Sequence, residues 1–311
     1  MSVICKIDGK EFKDEKSLHL ALRSYGFNKE RYYHKYFPRK DLLTGETIGF
    51  KTKEQYFNSD FNNKNNMKQW LKEQSVEKAR EYSKEVLARR KNEKGIIYSP
   101  SQVELRTIMN PSIVFYNKIF EDYYDVCSSI GLENKFIHPK NISNQFKNKL
   151  NPKDIIYVDT REQNWLKFDI PFEIKTLPYG DYTCSNDNCN CYIERKSLSD
   201  FISTLSSGNI ERFKNEILKS KKDGSYLVVI IEEKLEKALS FQYLPHISKK
   251  IKATPDFIFH NVRSLLQDFD NIQFLFVDGR NEMKRVIESI FSSKCFYKKI
   301  DLQLAYDMKI L

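Results

Sequence analysis

The pattern of apolar and polar positions changes near residue 153. Before it, apolar residues are sparse and helically spaced. Leu18, Leu22 and Tyr25 recur at helical intervals and predict a short helix over 17–25. Residues 58–66 are polar, Asn-rich and without period, which predicts a loop or linker. Residues 67–94 hold neither Gly nor Pro and set Trp70, Leu71, Val76, Tyr82, Val86 and Leu87 among many charges. That predicts one long, largely solvated helix. Ser99-Pro100 and Asn110-Pro111-Ser112 each open a further helix. A last one over 123–130 closes a small helical module, with Gly131 as its C-cap. The stretch 138–153, rich in Asn and Pro, reads as a domain boundary.

After 153, short apolar runs at 155–158, 172–175, 182–184, 191–195, 226–231 and 272–277 predict strands. Helical patterns over 197–206, 209–222, 255–269 and 282–291 separate or follow them. The runs YLVVII (226–231) and IQFLFV (272–277) have few polar positions or none, as strands of a sheet covered on both faces do. The reading is an α/β domain over 154–293, preceded by a small module at 1–60 and a helical basic region at 67–137. Residues 294–311 read as a tail.

Charge divides the chain the same way. Of its net +10, residues 1–150 contribute 28 Lys+Arg against 19 Asp+Glu, and residues 151–311 contribute 24 against 23. A basic half beside a neutral half points to a polyanion-binding region attached to something else. With 22 Phe, 18 Tyr and 40% apolar residues, a disordered chain is excluded. No apolar run approaches the ~18 residues of a membrane helix, so no membrane partner is expected.

The N-terminus lacks the basic and apolar regions of a secretory signal, and six Cys are too few for a disulfide scaffold. An intracellular setting follows, cytoplasmic if the source is bacterial or a phage. Cys184, Cys189 and Cys191 then read as reduced, partly buried thiols. The Cys5-Lys6-Ile7-Asp8 run with His19 resembles the start of a zinc finger, with Asp8 where a second Cys would stand. A finger-like core without zinc is the reading. His34, His138, His246 and His260 have no paired spacing and read as structural or surface residues. The Tyr and Phe residues of 25–61 read as the core of a small domain.

Candidate chemistry collects at strand ends. Asp159 ends the first run, Asp181 opens the third, and Glu194 lies near the end of the fourth. Residues i and i+2 of a strand share a face, so Glu194 and Lys196 project together. A hairpin from 181 to 194 places Asp181 beside them. Several carboxylates and one Lys at one point suit a hard divalent cation such as Mg²⁺. Glu232-Glu233 reads as a solvated strand end.

Gly180-Asp181-Tyr182, followed by Glu194-Arg195-Lys196-Ser197-Leu198-Ser199-Asp200, resembles the XPF-type nuclease signature GDx(n)ERKx(3)D. Val158-Asp159-Thr160-Arg161-Glu162 resembles the first-strand motif of the same family. The resemblance implies a restriction-endonuclease-like mixed sheet flanked by helices and a DNA endonuclease dependent on Mg²⁺ or Mn²⁺. It makes Asp181 and Glu194 the central metal ligands and Asp159 a third. Lys196 would orient or activate water, or neutralise phosphate charge. Glu162, Arg161, Arg195, Asp200, Gly208 and Arg212 would surround the site or touch DNA. Arg195 alternates away from Lys196 and so would hold structure. Family members commonly have Gly-Arg where Gly208-Asn209 stands, and Arg212 one turn on supplies the basic group.

Residues 294–311 carry no tandem helix-hairpin-helix motif, so DNA choice is expected from residues 1–150. The resemblance leaves room for a homodimer through the nuclease domain, and for work in DNA repair, recombination or phage and mobile-element biology. The competing reading is a DNA-binding scaffold with an inert nuclease fold.

Overall fold

The computed structural model describes residues 2–37, 39–40, 47–48, 64–107, 112–186, 189–206, 208–248 and 251–311. The chain divides into two compact units, Met1–Tyr56 and Phe57–Leu311. In the first, strands β1 (Val3–Ile4) and β2 (Glu11–Phe12) pair antiparallel and lead into helix α1 (Glu15–Ala21). Asp14 caps that helix by accepting from Ser17 N at 2.7 Å. Helix α2 (Lys29–Tyr36) and the antiparallel pair β3 (Arg39–Lys40) and β4 (Thr47–Ile48) follow. The core of this unit is Cys5, Leu18, Leu22 and Tyr32. Asp8 accepts from Tyr25 Oη at 2.7 Å and Lys10 N at 3.1 Å, while Cys5 is fully buried. His34 and the Asn-rich stretch 58–63 lie outside the residues whose side chains or backbone are described.

The second unit opens with helices α3 (Lys64–Glu73), α4 (Val76–Lys94), α5 (Gln102–Thr107), α6 (Ile113–Ile119) and α7 (Tyr123–Ser129). The single helix expected over 67–94 is two. Ser75 accepts from Lys78 N at 3.2 Å and caps the start of α4, so the chain breaks there. Lys64–Asn66, expected in a loop, already belong to α3. Helix α5 opens on Ser101 and Glu104, each side chain bonding the other's backbone N–H, whereas Ser99 accepts from Lys135 N.

Six strands form one mixed sheet: β5 (Ile156–Asp159), β6 (Phe172–Lys175), β7 (Tyr182–Cys184), β8 (Cys191–Lys196), β9 (Tyr226–Ile231) and β10 (Ile272–Phe276). Their order across the sheet is β10-β9-β8-β7-β5-β6. Strand β7 runs antiparallel to β5 and β8, and the other pairings are parallel. Helices α8 (Leu198–Thr204) and α9 (Ile210–Lys222) cross from β8 to β9. After the short α10 (Leu235–Ala238), α11 (Pro255–Asp268) leads to β10, and α12 (Gly279–Ser292) follows it. Val228 and Ile230 pack with Val286, Ile287 and Ile290 of α12 in one core cluster. Phe201, Phe259 and Phe276 form a second aromatic group. Both faces of β9 are thus covered, as its unbroken apolar run requires.

Two expected divisions are absent from this unit. Residues 138–153 are no linker: Phe146 and Leu150 belong to the sheet's core, and Ser289 Oγ donates to Phe146 O at 3.0 Å. Residues 294–311 are no tail. They form a 3₁₀ turn and helix α13 (Leu302–Asp307), burying Tyr297, Ile300, Leu302, Leu304, Ala305 and Leu311. What orders them is long-range: Leu304 packs among Leu105, Ile113 and Tyr116, and Asp301 accepts from Gln102 N. One thiol reading also changes. Cys189 is disulfide-bonded to Cys295, their Cα atoms 5.8 Å apart, while Cys184 and Cys191 are buried. The partner lies 106 residues away in the segment read as a tail, where no local spacing could reveal it.

Candidate active site

Gly180 fixes the approach of β7 to β8. Its φ is +57°, and a Cβ there would lie 2.8 Å from Ile193 O, so only glycine fits. Gly180→Ala is expected to destabilise the protein by about 3 kcal/mol, from the left-handed backbone plus the clash, read as a drop in thermal midpoint. Asp181 follows directly. Its backbone N donates to Ile193 O at 2.8 Å, and its Oδ2 accepts from Arg195 N at 2.7 Å.

On β8 the side chains alternate. Cys191 and Ile193 are buried in the core, and Arg195 shares their side. Its guanidinium is gripped by Glu162 through two hydrogen bonds of 3.0 and 3.1 Å, and by Glu232 at 3.1 Å. Burial opposes its charge, but these carboxylates hold its pKa above the ordinary arginine value. Glu194 and Lys196 project from the other side and join at 2.6 Å. Both line a cleft of about 300 Å³, bounded also by Asp200, Ser203, Thr204, Asn209, Arg212, Phe213 and Glu216.

The cleft wall depends on local capping. Ser197 Oγ accepts from Asp200 N at 3.1 Å and donates to its Oδ2 at 2.7 Å, which starts α8 at the end of β8. Asp200 thus serves this cap as well as facing the cleft. Gly208 is exposed in the loop between α8 and α9, with open space where a Cβ would be. Arg212 and Glu216 share a face of α9 at i, i+4 spacing. Glu216 was not singled out from sequence; its spacing from Arg212 was the available signal. Burial, then the charge of Glu194, raises its pKa.

Asp159 stands apart from this set. Its side chain is fully buried, and both oxygens are occupied. Oδ1 accepts from Arg161 N and Nε at 2.8 and 2.6 Å, and Oδ2 from Leu177 N and Arg161 Nη2 at 2.7 and 3.1 Å. Burial would raise its pKa, but the guanidinium and these N–H donors outweigh that and hold it below the usual carboxylate range.

Asp181 behaves oppositely. Burial first, then the charge of Glu194, push its pKa up to about 7. Two carboxylates that resist sharing negative charge fit a divalent cation. Among the described residues no three His, Cys, Asp or Glu side chains group to hold one. The donors would therefore be the pair Asp181 and Glu194, with water and substrate oxygens completing the shell, an arrangement Mg²⁺ tolerates well.

That frustration makes a stability prediction. A folded pKa near 7 lies above the unfolded ~3.9. This group's contribution is fully present below about pH 4 and is lost as pH rises through about 7. Glu194 and Glu162 face Asp181 and add to the effect, and Lys196 opposes it. In EDTA at pH 8, Asp181→Asn is therefore expected to be more stable than the parent, on the order of 2–4 kcal/mol. The gap should close toward pH 4. Thermal melts across pH read it, and a mutant less stable at pH 8 would contradict it.

Residues 158–290 match the ERCC4 domain. Over this stretch, less than half of the chain, the sequence is similar to that family. Among solved structures the chain is similar to XPF from Aeropyrum pernix in complex with DNA, at 20% identity and a TM-score of 0.34. The match covers 44% of this chain and 63% of that one. No curated protein sequence matches it. Among the described residues, no helix is long and apolar enough to cross a membrane.

Proposed function

We propose that the protein is a divalent-cation-dependent DNA endonuclease acting at the β7–β8 hairpin. One observation carries this reading. Asp181, just before β7, is tied to β8 on both sides of Glu194, its N donating to Ile193 O at 2.8 Å and its Oδ2 accepting from Arg195 N at 2.7 Å, with Lys196 on Glu194 lining a polar cleft. Asp181 and Glu194 would hold the cation, Mg²⁺ or Mn²⁺. Bound there, it supplies Lewis-acid polarisation of the phosphodiester and a lowered pKa for water.

The chain's own groups divide the remaining work. Lys196 brings a positive charge to the carboxylate pair, where it can orient water or balance charge developing on phosphate. Arg195 braces the strand through Glu162 and Glu232 and leaves the substrate to others. Arg212 and Asn209 offer donors along the cleft. The substrate class we put forward is branched or linear duplex DNA met in repair, recombination or phage and mobile-element replication, guided by the basic N-terminal residues. The complete Asp181, Glu194, Lys196 set favours an enzyme over an inert scaffold, which has no chemical use for it. Supercoiled plasmid and a panel of branched DNAs, with Mg²⁺ or Mn²⁺ against EDTA, test the reading. Absence of cleavage of every form by folded protein would overturn it.

A further inference from the structure

Asp159 is expected from sequence as a third cation ligand, yet its oxygens already have four donors, three of them from Arg161. We infer that Asp159 is a positioning residue that acts through Arg161, holding its guanidinium beside the carboxylate pair as a contact for a DNA phosphate. The inference rests on the nuclease reading of the cleft and assigns Asp159 a different task within it.

The ion pair is asymmetric. The Asp159 side chain is 0% exposed and that of Arg161 68%. An ordinary surface pair leaves both partners mobile and contributes little. Here the anionic half is immobilised by Leu177 N and Arg161 N as well as by the guanidinium. Arg161 is tied further by donating from Nη2 to Leu177 O at 3.1 Å. One edge of the fork is thus fixed to the protein. Nη1 makes no hydrogen bond among the described residues, and the group remains largely in solvent.

Arg161 also lies on the side of the pair, because Asp159, which holds it, donates from its backbone N to Asp181 O at 2.9 Å. Its charge acts on Asp181, Glu194 and Glu216, the carboxylates in and around the cleft. A phosphate entering that acidic place gains from a cation beyond Lys196 and Arg212, which line the cleft themselves. Arg195 is held by Glu162 and Glu232, and Lys196 by Glu194. A planar guanidinium with an open edge is suited to phosphate oxygens.

DNA binding in EDTA tests this without reference to cleavage. The full chain is titrated onto a fluorescein-labelled branched duplex over a range of NaCl concentrations, read by anisotropy. Arg161→Ala is expected to weaken binding about 5- to 10-fold and to lower the salt slope by about one. Asp159→Asn should lose a similar amount, and the double variant should be no worse than Arg161→Ala alone. Calorimetric Mn²⁺ affinity of Asp159→Asn should stay within about twofold of the parent, since no cation ligand is lost.

An unchanged slope in Arg161→Ala would overturn the inference. So would a tenfold loss of Mn²⁺ affinity in Asp159→Asn with its salt slope intact, which is the signature of a ligand. If Asp159→Asn fails to fold, Arg161→Ala and Arg161→Lys decide. Arg161→Lys, which keeps the charge, should retain the salt slope that Arg161→Ala loses. If the parent itself binds no DNA, the nuclease reading fails first. If the parent binds and Arg161→Ala binds equally well, this inference alone fails.

Discussion

Lys196→Ala is expected to lower DNA cleavage by about 10²–10³-fold, and excess Mn²⁺ is expected not to restore it. The ammonium group sits 2.6 Å from Glu194 Oε1 and lines the cleft. While protonated it has three donors and no lone pair, so it cannot ligate a cation. Its loss removes positive charge from the place where a phosphate would gain negative charge, and no added metal replaces a charge at that position. Asp181→Asn should lose a similar amount for a different reason: it removes a hard anionic oxygen from the pair that would hold the cation. Raising Mn²⁺ should therefore recover part of its activity. Initial rates across a metal titration separate the two variants. Equal rescue of both would mean that Lys196 acts only through Glu194. The group that manages water would then lie elsewhere, and Glu216 on the opposite wall of the cleft becomes the next candidate.

Much of the α/β unit is legible in sequence because its signals are local. The apolar runs at 226–231 and 272–276 became parallel neighbours buried along their length. The alternation along β8 placed Glu194 and Lys196 together and turned Arg195 away, since strand periodicity alone decides that. Gly180 was legible only as part of the Gly180-Asp181 motif; its positive φ and close approach to Ile193 O come from the structure. What local signals do not show is mostly environment that distant sequence supplies. The oxygens of Asp159, at the end of the first strand, accept from Leu177 N and Arg161, and the Leu177 contact comes from 18 residues on. Cys189 looks like a thiol until a segment 106 residues later meets it. Glu216 is one charge among many on an amphipathic helix until β8 places Glu194 opposite. The boundary at 138–153 was inferred from Asn and Pro content, which reports turns and not separation. The chain turns there and stays packed.

That packing changes what a truncation should do. Deleting residues 1–56 is expected to leave a cooperatively folded protein, and deleting 1–150 is expected to abolish folding. The first cut falls between the two compact units. The second removes helices that the sheet domain uses as partners. Asp301 is buried and accepts from Gln102 N, and the Gln102 side chain donates to Asp307 at 2.7 Å. Arg106 pairs with Glu236 at 2.6 Å, Arg263 donates to Thr107 O at 2.9 Å, and Gln267 donates to Glu104 at 3.2 Å. Leu304 packs among Leu105, Ile113 and Tyr116, and Phe146 and Leu150 fill the sheet's own core.

Each buried polar group left without its partner costs about 1–3 kcal/mol, and each large apolar side chain removed costs about 2–5. A few such losses exhaust the roughly 5–15 kcal/mol by which a domain is stable. The shorter deletion touches none of these contacts. It removes 12 Lys+Arg and 8 Asp+Glu, so it should weaken DNA binding and lower its salt slope while cleavage chemistry at Asp181 and Glu194 survives. Circular dichroism melts of the two truncations, with anisotropy on the one that folds, read both halves of the prediction. A cooperative melt from residues 151–311 alone would show that the helical region is a separable domain after all. An unchanged salt slope in residues 57–311 would mean that the unit Met1–Tyr56 faces something other than DNA.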